Sequence, residues 1–179
     1  MMAHLRYLRY VLRHKWYVFV ACLRLGVPLR RAILHDWSKF LPSEWFPYIE
    51  HFYGPNSIKR DATGYYNAAV VGGSFDKAWL SHVRRNGHHW QHWAMVMDYG
   101  PPKLLEMPEP AIREMVADWV GAGRAQGTPD TLRWYEAHKH QLLLAPRTRE
   151  RVEELLRWMS EQEWWRRPVE EAEARRQAA

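Results

Sequence analysis

Cysteine is nearly absent. Cys22 stands alone in 179 residues, which excludes a disulfide framework and any zinc site built on paired thiolates. Without disulfides the chain reads as a protein of a reducing compartment, the cytoplasm. Long apolar runs are missing as well. Trp16–Leu23 follows several basic residues, but it falls short of a signal-peptide core and far short of the roughly 20 residues that span a bilayer. No membrane partner is expected. No stretch alternates apolar and polar residues with period two, so no sheet is expected either. The chain also lacks a recognisable nucleic-acid-reading motif and a concentrated basic stripe, which ranks nucleic acid low among partners.

What is present suits one domain with a real core. Hydrophobic residues make up 47% of the chain, too many for disorder throughout. Eleven Trp and nine Tyr add indole and phenol groups that need polar partners wherever they are buried. The net charge of +6 favours a small anionic ligand such as a nucleotide, although the basic residues are scattered among twenty acids.

The apolar periodicity is helical. Val11, His14, Val18, Ala21 and Leu25 share one face of a helix over residues 3–25, which stops at Gly26 with Pro28 beyond. A shorter helix is expected over 29–40. A third starts with Ser43 as N-cap, carries Glu44 in its first turn where it favours the helix dipole, and ends at Gly54-Pro55. Residues 54–74 read as a loop, either a connector or a lid. Helix returns over 75–85 and carries His82. Asn86-Gly87 is a breaker, so His88-His89 either opens a new helix to Met97 or continues the old one, and the two choices select different histidines. Pro108 and Pro110 lead into a helix over 109–122 with Glu114 and Asp118 one turn apart. After Thr128 come a short helix, then a long amphipathic one near 147–166 that Pro168 ends. The fold class is all-α.

Set on these helices, in order, are His14, His35-Asp36, His82, His88-His89 and Asp118. A lone His on an apolar stripe is ordinarily a hydrogen-bonded core residue. Imidazole and carboxylate together suit Fe, Mn, Zn, Co or Ni. The ordered set resembles the HD-domain superfamily, whose helical core holds one or two divalent metals. His35-Asp36-Trp37-Ser38-Lys39 resembles that family's His-Asp-x-x-Lys motif. Asn86-Gly87-His88-His89 resembles the paired-histidine motif of its two-metal branch. The whole string, with Glu114-Met115-x-x-Asp118-Trp119 and Gly121-Ala122-Gly123-Arg124, is similar to an uncharacterised HD-like family carried by bacteria and phages, which would place the protein in the host cytoplasm if phage-encoded.

The resemblance implies an HD-like helical bundle over residues 1–127. Helices over 128–168 would extend it on the same domain, with a disordered tail at 169–179. It implies that His14, His35, Asp36 and Asp118 hold a first metal. Asp36 would bridge to a second on His82 and one or both of His88 and His89. Asn86 and Glu114 are expected to fix imidazole tautomers. The implied activity is phosphohydrolysis of a nucleotide or related phosphate ester by a metal-activated water. Asp36, Lys39 and Glu114 (a proton shuttle) would carry it, with Lys39, Arg84, Arg85 and Arg124 on the phosphate. Two other readings stand beside it: a mixed-valent di-iron oxygenase, since one HD branch uses the same ordered ligands, and a non-catalytic nucleotide-binding protein. The Trp-rich C-terminal segment (Trp158, Trp164, Trp165) reads as core or as the seam of a homo-oligomer.

Overall fold

The stripe read over residues 3–25 forms the first helix, α1 (Met2–Arg24), which buries Tyr7, Val11, His14, Val18, Ala21 and Cys22. Gly26, at φ 69°, turns the chain out of it. A computed structural model describes residues 1–55, 57 and 73–178. Among these the chain is all-α. The helices after α1 are α2 (Leu29–Leu34), α3 (Pro42–Tyr53), α4 (Ser74–Arg85), α5 (Glu109–Gln126), α6 (Thr131–His138), α7 (Pro146–Ser160) and α8 (Glu163–Gln177). The expected loop over 54–74 falls largely outside the described residues. No helix among them is long and apolar enough to cross a membrane.

Helices α1 and α5 form the central pair. Gly121 on α5 faces Val18 on α1 so closely that a β-carbon there would stand 2.3 Å from Val18 Cγ2 and 2.7 Å from its backbone nitrogen. The missing side chain sets the approach of the two axes. Val18, Ala21, Met115, Val116 and Val120 build one large apolar cluster with Tyr135, Val152, Leu156 and Trp165 from the C-terminal helices. A smaller cluster joins Tyr7 and Val11 of α1 to Tyr48 and Ile49 of α3 and Ala78 of α4. His14 lies on α1 between Val11 and Val18, at the boundary of the two clusters.

Four local expectations are corrected. The helix read over 29–40 breaks after Leu34. His35 and Asp36 form a turn, with Asp36 left-handed at φ 54°, the one non-glycine residue of positive φ among those described; a 3-10 turn follows over Trp37–Phe40. His88 and His89 open no helix and continue none: α4 stops at Arg85, Asn86 is extended, and a 3-10 turn covers Trp90–Trp93. The chain then makes two-residue strands, β1 (Ala94–Met95) and β2 (Lys103–Leu104), paired antiparallel. Ser43 does not cap α3, which begins at Pro42.

At the C-terminus the long helix is two helices, and Pro168 sits inside the second instead of ending it. The tail expected to be disordered is helical as far as Gln177. A proline in a helix leaves the carbonyl four residues earlier without its donor. Here that carbonyl is on Trp164, and the Arg124 guanidinium donates to it at 2.6 Å.

Candidate metal centre

Four separate segments bring imidazoles and carboxylates to one buried point: α1, the α2–α3 turn, the α4 end with its following turn, and α5. His14 Nε2 stands 3.2 Å from both Asp36 Oδ2 and Asp118 Oδ1. His35 Nε2 stands 3.4 Å from the same two oxygens. On the other side of the same carboxylate, Asp36 Oδ1 is 3.3 Å from His82 Nε2 and 3.4 Å from His88 Nε2. His89 Nε2 lies 2.9 Å from His82 Nε2. Donor atoms that share one cation at about 2.0–2.2 Å stand about 3.0–3.5 Å apart. The residues therefore form two sets of metal-ligand spacing, His14–His35–Asp36–Asp118 and Asp36–His82–His88–His89, and a third grouping, His35–His88–Glu114, lies behind them. Asp36 gives one oxygen to each of the first two.

The residues fit a cation on a second count. His35 Nε2, His88 Nε2 and Asp36 Oδ1 are buried and make no hydrogen bond, although they converge at contact distance. Buried polar atoms without partners are rare in native proteins and call for an explanation; bound cations would satisfy these three.

Local backbone explains how adjacent residues serve one centre. Neighbours on an α-helix diverge by about 100°, so neither His35-Asp36 nor His88-His89 could converge from inside one. The left-handed turn at Asp36 and the extended Asn86 free both pairs. The Lys15 ammonium docks the first turn to α1 by donating to the His35 carbonyl. Asn86 Nδ2 holds the second by donating to the His82 carbonyl at 2.9 Å and to Ser38 Oγ at 2.8 Å.

Two further carboxylates stand behind the imidazoles. Glu114 Oε1 accepts from His35 Nδ1 at 3.1 Å and lies 3.3 Å from His88 Nδ1, while its Oε2 takes the Arg31 guanidinium at 2.7 Å. Glu44 Oε2 accepts from His82 Nδ1 at 2.8 Å and from Ser38 Oγ at 3.0 Å, while its Oε1 takes Arg85 at 2.8 Å. Such contacts fix the tautomer that leaves Nε2 free for a cation. Sequence reasoning named Glu114 for this and missed Glu44, which it read as a helix-dipole residue. The available signal was the four-residue step from Glu44 to Tyr48, which places it on the buried face of α3.

Charge within the cluster is strongly coupled. Burial opposes the ionised form of Asp36, but His35, Lys39 and His82 outweigh it and hold the carboxyl well below its ordinary range. Burial likewise disfavours charge on His35, yet Asp36, Asp118 and Glu114 raise it well above a free imidazole. Burial pushes Glu114 up, but its hydrogen bonds from His35 and His88 hold it down to about 2. His89 is driven the opposite way, well below its usual value, by burial and by the neighbouring His88 and His82. Lys39 Nζ sits 2.5 Å from Asp36 Oδ2 with its side chain 13% exposed, and Asp118 is 14% exposed. With the half-buried His89, these are the members of the cluster that solvent reaches.

The remaining residues singled out in the sequence make other contacts. Arg85 clamps Glu44 and so supports His82 instead of facing a substrate. Arg84 is exposed, two residues past His82 and hence on the far side of α4. Arg124 is occupied with Trp164, whose carbonyl it caps and whose ring it overlies at 5.5 Å. Glu114 has both oxygens engaged, which suits it to hold rings and not to shuttle protons. Of the C-terminal indoles, Trp165 is buried in the core, Trp164 is half-buried against it and Trp158 is exposed.

Fold and centre define an all-α protein with a buried histidine–carboxylate cluster able to hold metal ions. The chain belongs to a family of unknown function, DUF5662, whose match runs over residues 3–158. That span contains every residue of both donor sets and leaves out α8. No curated protein and no solved structure matches the chain significantly.

Proposed function

We propose that the protein is a metal-dependent phosphohydrolase acting on a nucleotide or related small phosphate ester. The carrying observation is the pair of donor sets that share Asp36, with the Lys39 ammonium directly beside the shared carboxylate. When bound, divalent transition metals such as Fe, Mn, Zn, Co or Ni would supply Lewis acidity toward phosphate oxygens and a water nucleophile near neutral pH. Asp36 would offset the repulsion of two cations held there, and neutral imidazoles would complete the donor set without overcharging it. Lys39 presents a point charge to a phosphate oxygen from the solvent-reached side. Burial of His14, His35, Asp36, His82 and His88 keeps the local dielectric low, so each of these charges acts strongly.

The HD-type reading of the bundle belongs to the same proposal and is supported by the ordered donors and by Lys39. The test is hydrolysis of a broad nucleotide and phosphoester panel by protein loaded with Mn, Fe or Co, against His35→Ala and Asp36→Asn controls. Turnover that vanishes in both variants is expected. A wild-type protein that hydrolyses nothing would sink the reading. If that inactive protein, isolated without oxygen, also held two tightly bound irons with a coupled mixed-valent EPR signal, the same donors would belong to an oxygenase. If it held no metal, the non-catalytic binding protein would take its place.

A further inference from the structure

The two outer carboxylates are not equivalent. Each uses one oxygen for imidazole and the other for an arginine, Arg31 at Glu114 and Arg85 at Glu44. Glu44 serves one metal-facing ring, His82, which belongs to the second donor set. Glu114 serves two rings from different sets: Oε1 lies 3.1 Å from Nδ1 of His35 and 3.3 Å from Nδ1 of His88. One carboxylate oxygen has lone pairs enough for both N–H groups. The two rings also pack against each other, with centroids 4.3 Å apart and planes inclined by 37°.

We propose that Glu114 is the positioning residue that ties the two cation positions together, whereas Glu44 positions the second alone. The inference rests on the metal reading above. Asp36 couples the positions from inside, through its two oxygens. Glu114 couples them from behind, because a rotation of His35 that breaks its Nδ1–H contact shifts the shared oxygen and the tilted ring packed beside it. Arg31 fixes the carboxylate from solvent, with its own side chain 39% exposed. The second-set ring His82 has a separate support in Glu44 and Ser38, and Asn86 holds its backbone by donating to the His82 carbonyl. Loss of Glu44 therefore leaves His35 and His88 held.

The experiment is stepwise Mn(II) binding to the full-length wild-type, Glu114→Gln and Glu44→Gln proteins, read by calorimetry, with EPR for the spin-coupled Mn pair. Wild-type protein is expected to take two ions. Glu44→Gln should weaken one binding step by about 10–100-fold and leave the other within about threefold. Glu114→Gln should weaken both steps by about 10–100-fold and abolish the coupled signal. A second variant, Arg31→Met, keeps the carboxylate and both ring contacts but frees the far end. It should lower both steps together by a smaller factor, so that the ratio of the two affinities stays near the wild-type value. A general loss of structure would not leave that ratio unchanged. Weakening of a single step in Glu114→Gln, or a profile matching that of Glu44→Gln, would overturn the inference while leaving the metal centre standing. Wild-type protein that binds no Mn, Fe or Co would overturn the metal reading itself, and this inference with it.

Discussion

Asp36 makes the two donor sets one centre, and its backbone is as unusual as its side chain. A left-handed conformation costs an ordinary L-residue roughly 1–2 kcal/mol, and Asp and Asn tolerate it best after glycine. Here it swings the carboxylate between His14 and His35 on one side and His82 and His88 on the other. Asp36→Asn retains the shape and the tolerance for positive φ but removes the charge that would offset two cations. Metal analysis of desalted protein should show both ions lost in Asp36→Asn, while Asp118→Asn, which alters the first set alone, should lose one. Retention of two ions by Asp36→Asn would refute the bridging role. The residue types of this cluster could be read in the sequence because His and Asp interrupt apolar helical stripes. Glu44 was masked: its step to Tyr48 marks the buried face of α3, but an acid in the first turn of a helix already has an ordinary explanation in the helix dipole.

At the scale of elements, the pairing of α1 with α5 places His14 opposite Asp118. Gly121 permits the approach: an added methyl would meet the Val18 backbone, which cannot rotate away as a side-chain end could. Gly121→Ala gains helix propensity of about 1 kcal/mol but forces the axes apart in a packed core. A net loss of about 1–3 kcal/mol in urea unfolding is expected, with weaker binding at the first cation position as His14 and Asp118 separate. Unchanged stability would show that the pair can slide. Helix identity and most boundaries followed from periodicity and from Pro and Gly. Asn86-Gly87 marked the break at Arg85 and left only the path of His88-His89 beyond it unread. The break at Leu34 did not follow. Nor did the survival of Pro168 inside α8, where a donor from α5 replaces the missing N–H contact.

Across the whole molecule, the centre occupies the seam between a large apolar cluster on α1, α5 and the C-terminal helices and a smaller one on α1, α3 and α4. Buried ionised groups are costly unless paired. In the protein alone the imidazoles and Lys39 supply the positive charge that Asp36 and Asp118 require. Divalent cations would supply it with the imidazoles neutral, and binding would then add directly to folding stability. Mn(II) at about 100 times its dissociation constant should add about 2.7 kcal/mol for each site filled, or roughly 5–10 °C in Tm per site for a chain of this size. Differential scanning calorimetry with and without a chelator measures it. A Tm indifferent to metal would count against the centre.

The sequence by itself determined the helical class, the apolar faces and the identity of the donors, because these depend on local periodicity and on the chemistry of each side chain. Tertiary structure alone decided that both His88 and His89 turn inward to the set beyond Asp36, that Glu44 stands behind His82, and that Arg85 and Arg124 serve protein groups. Those outcomes depend on distances between segments tens of residues apart. A helical period states which way a side chain leaves its own axis and carries no information about what lies across the gap.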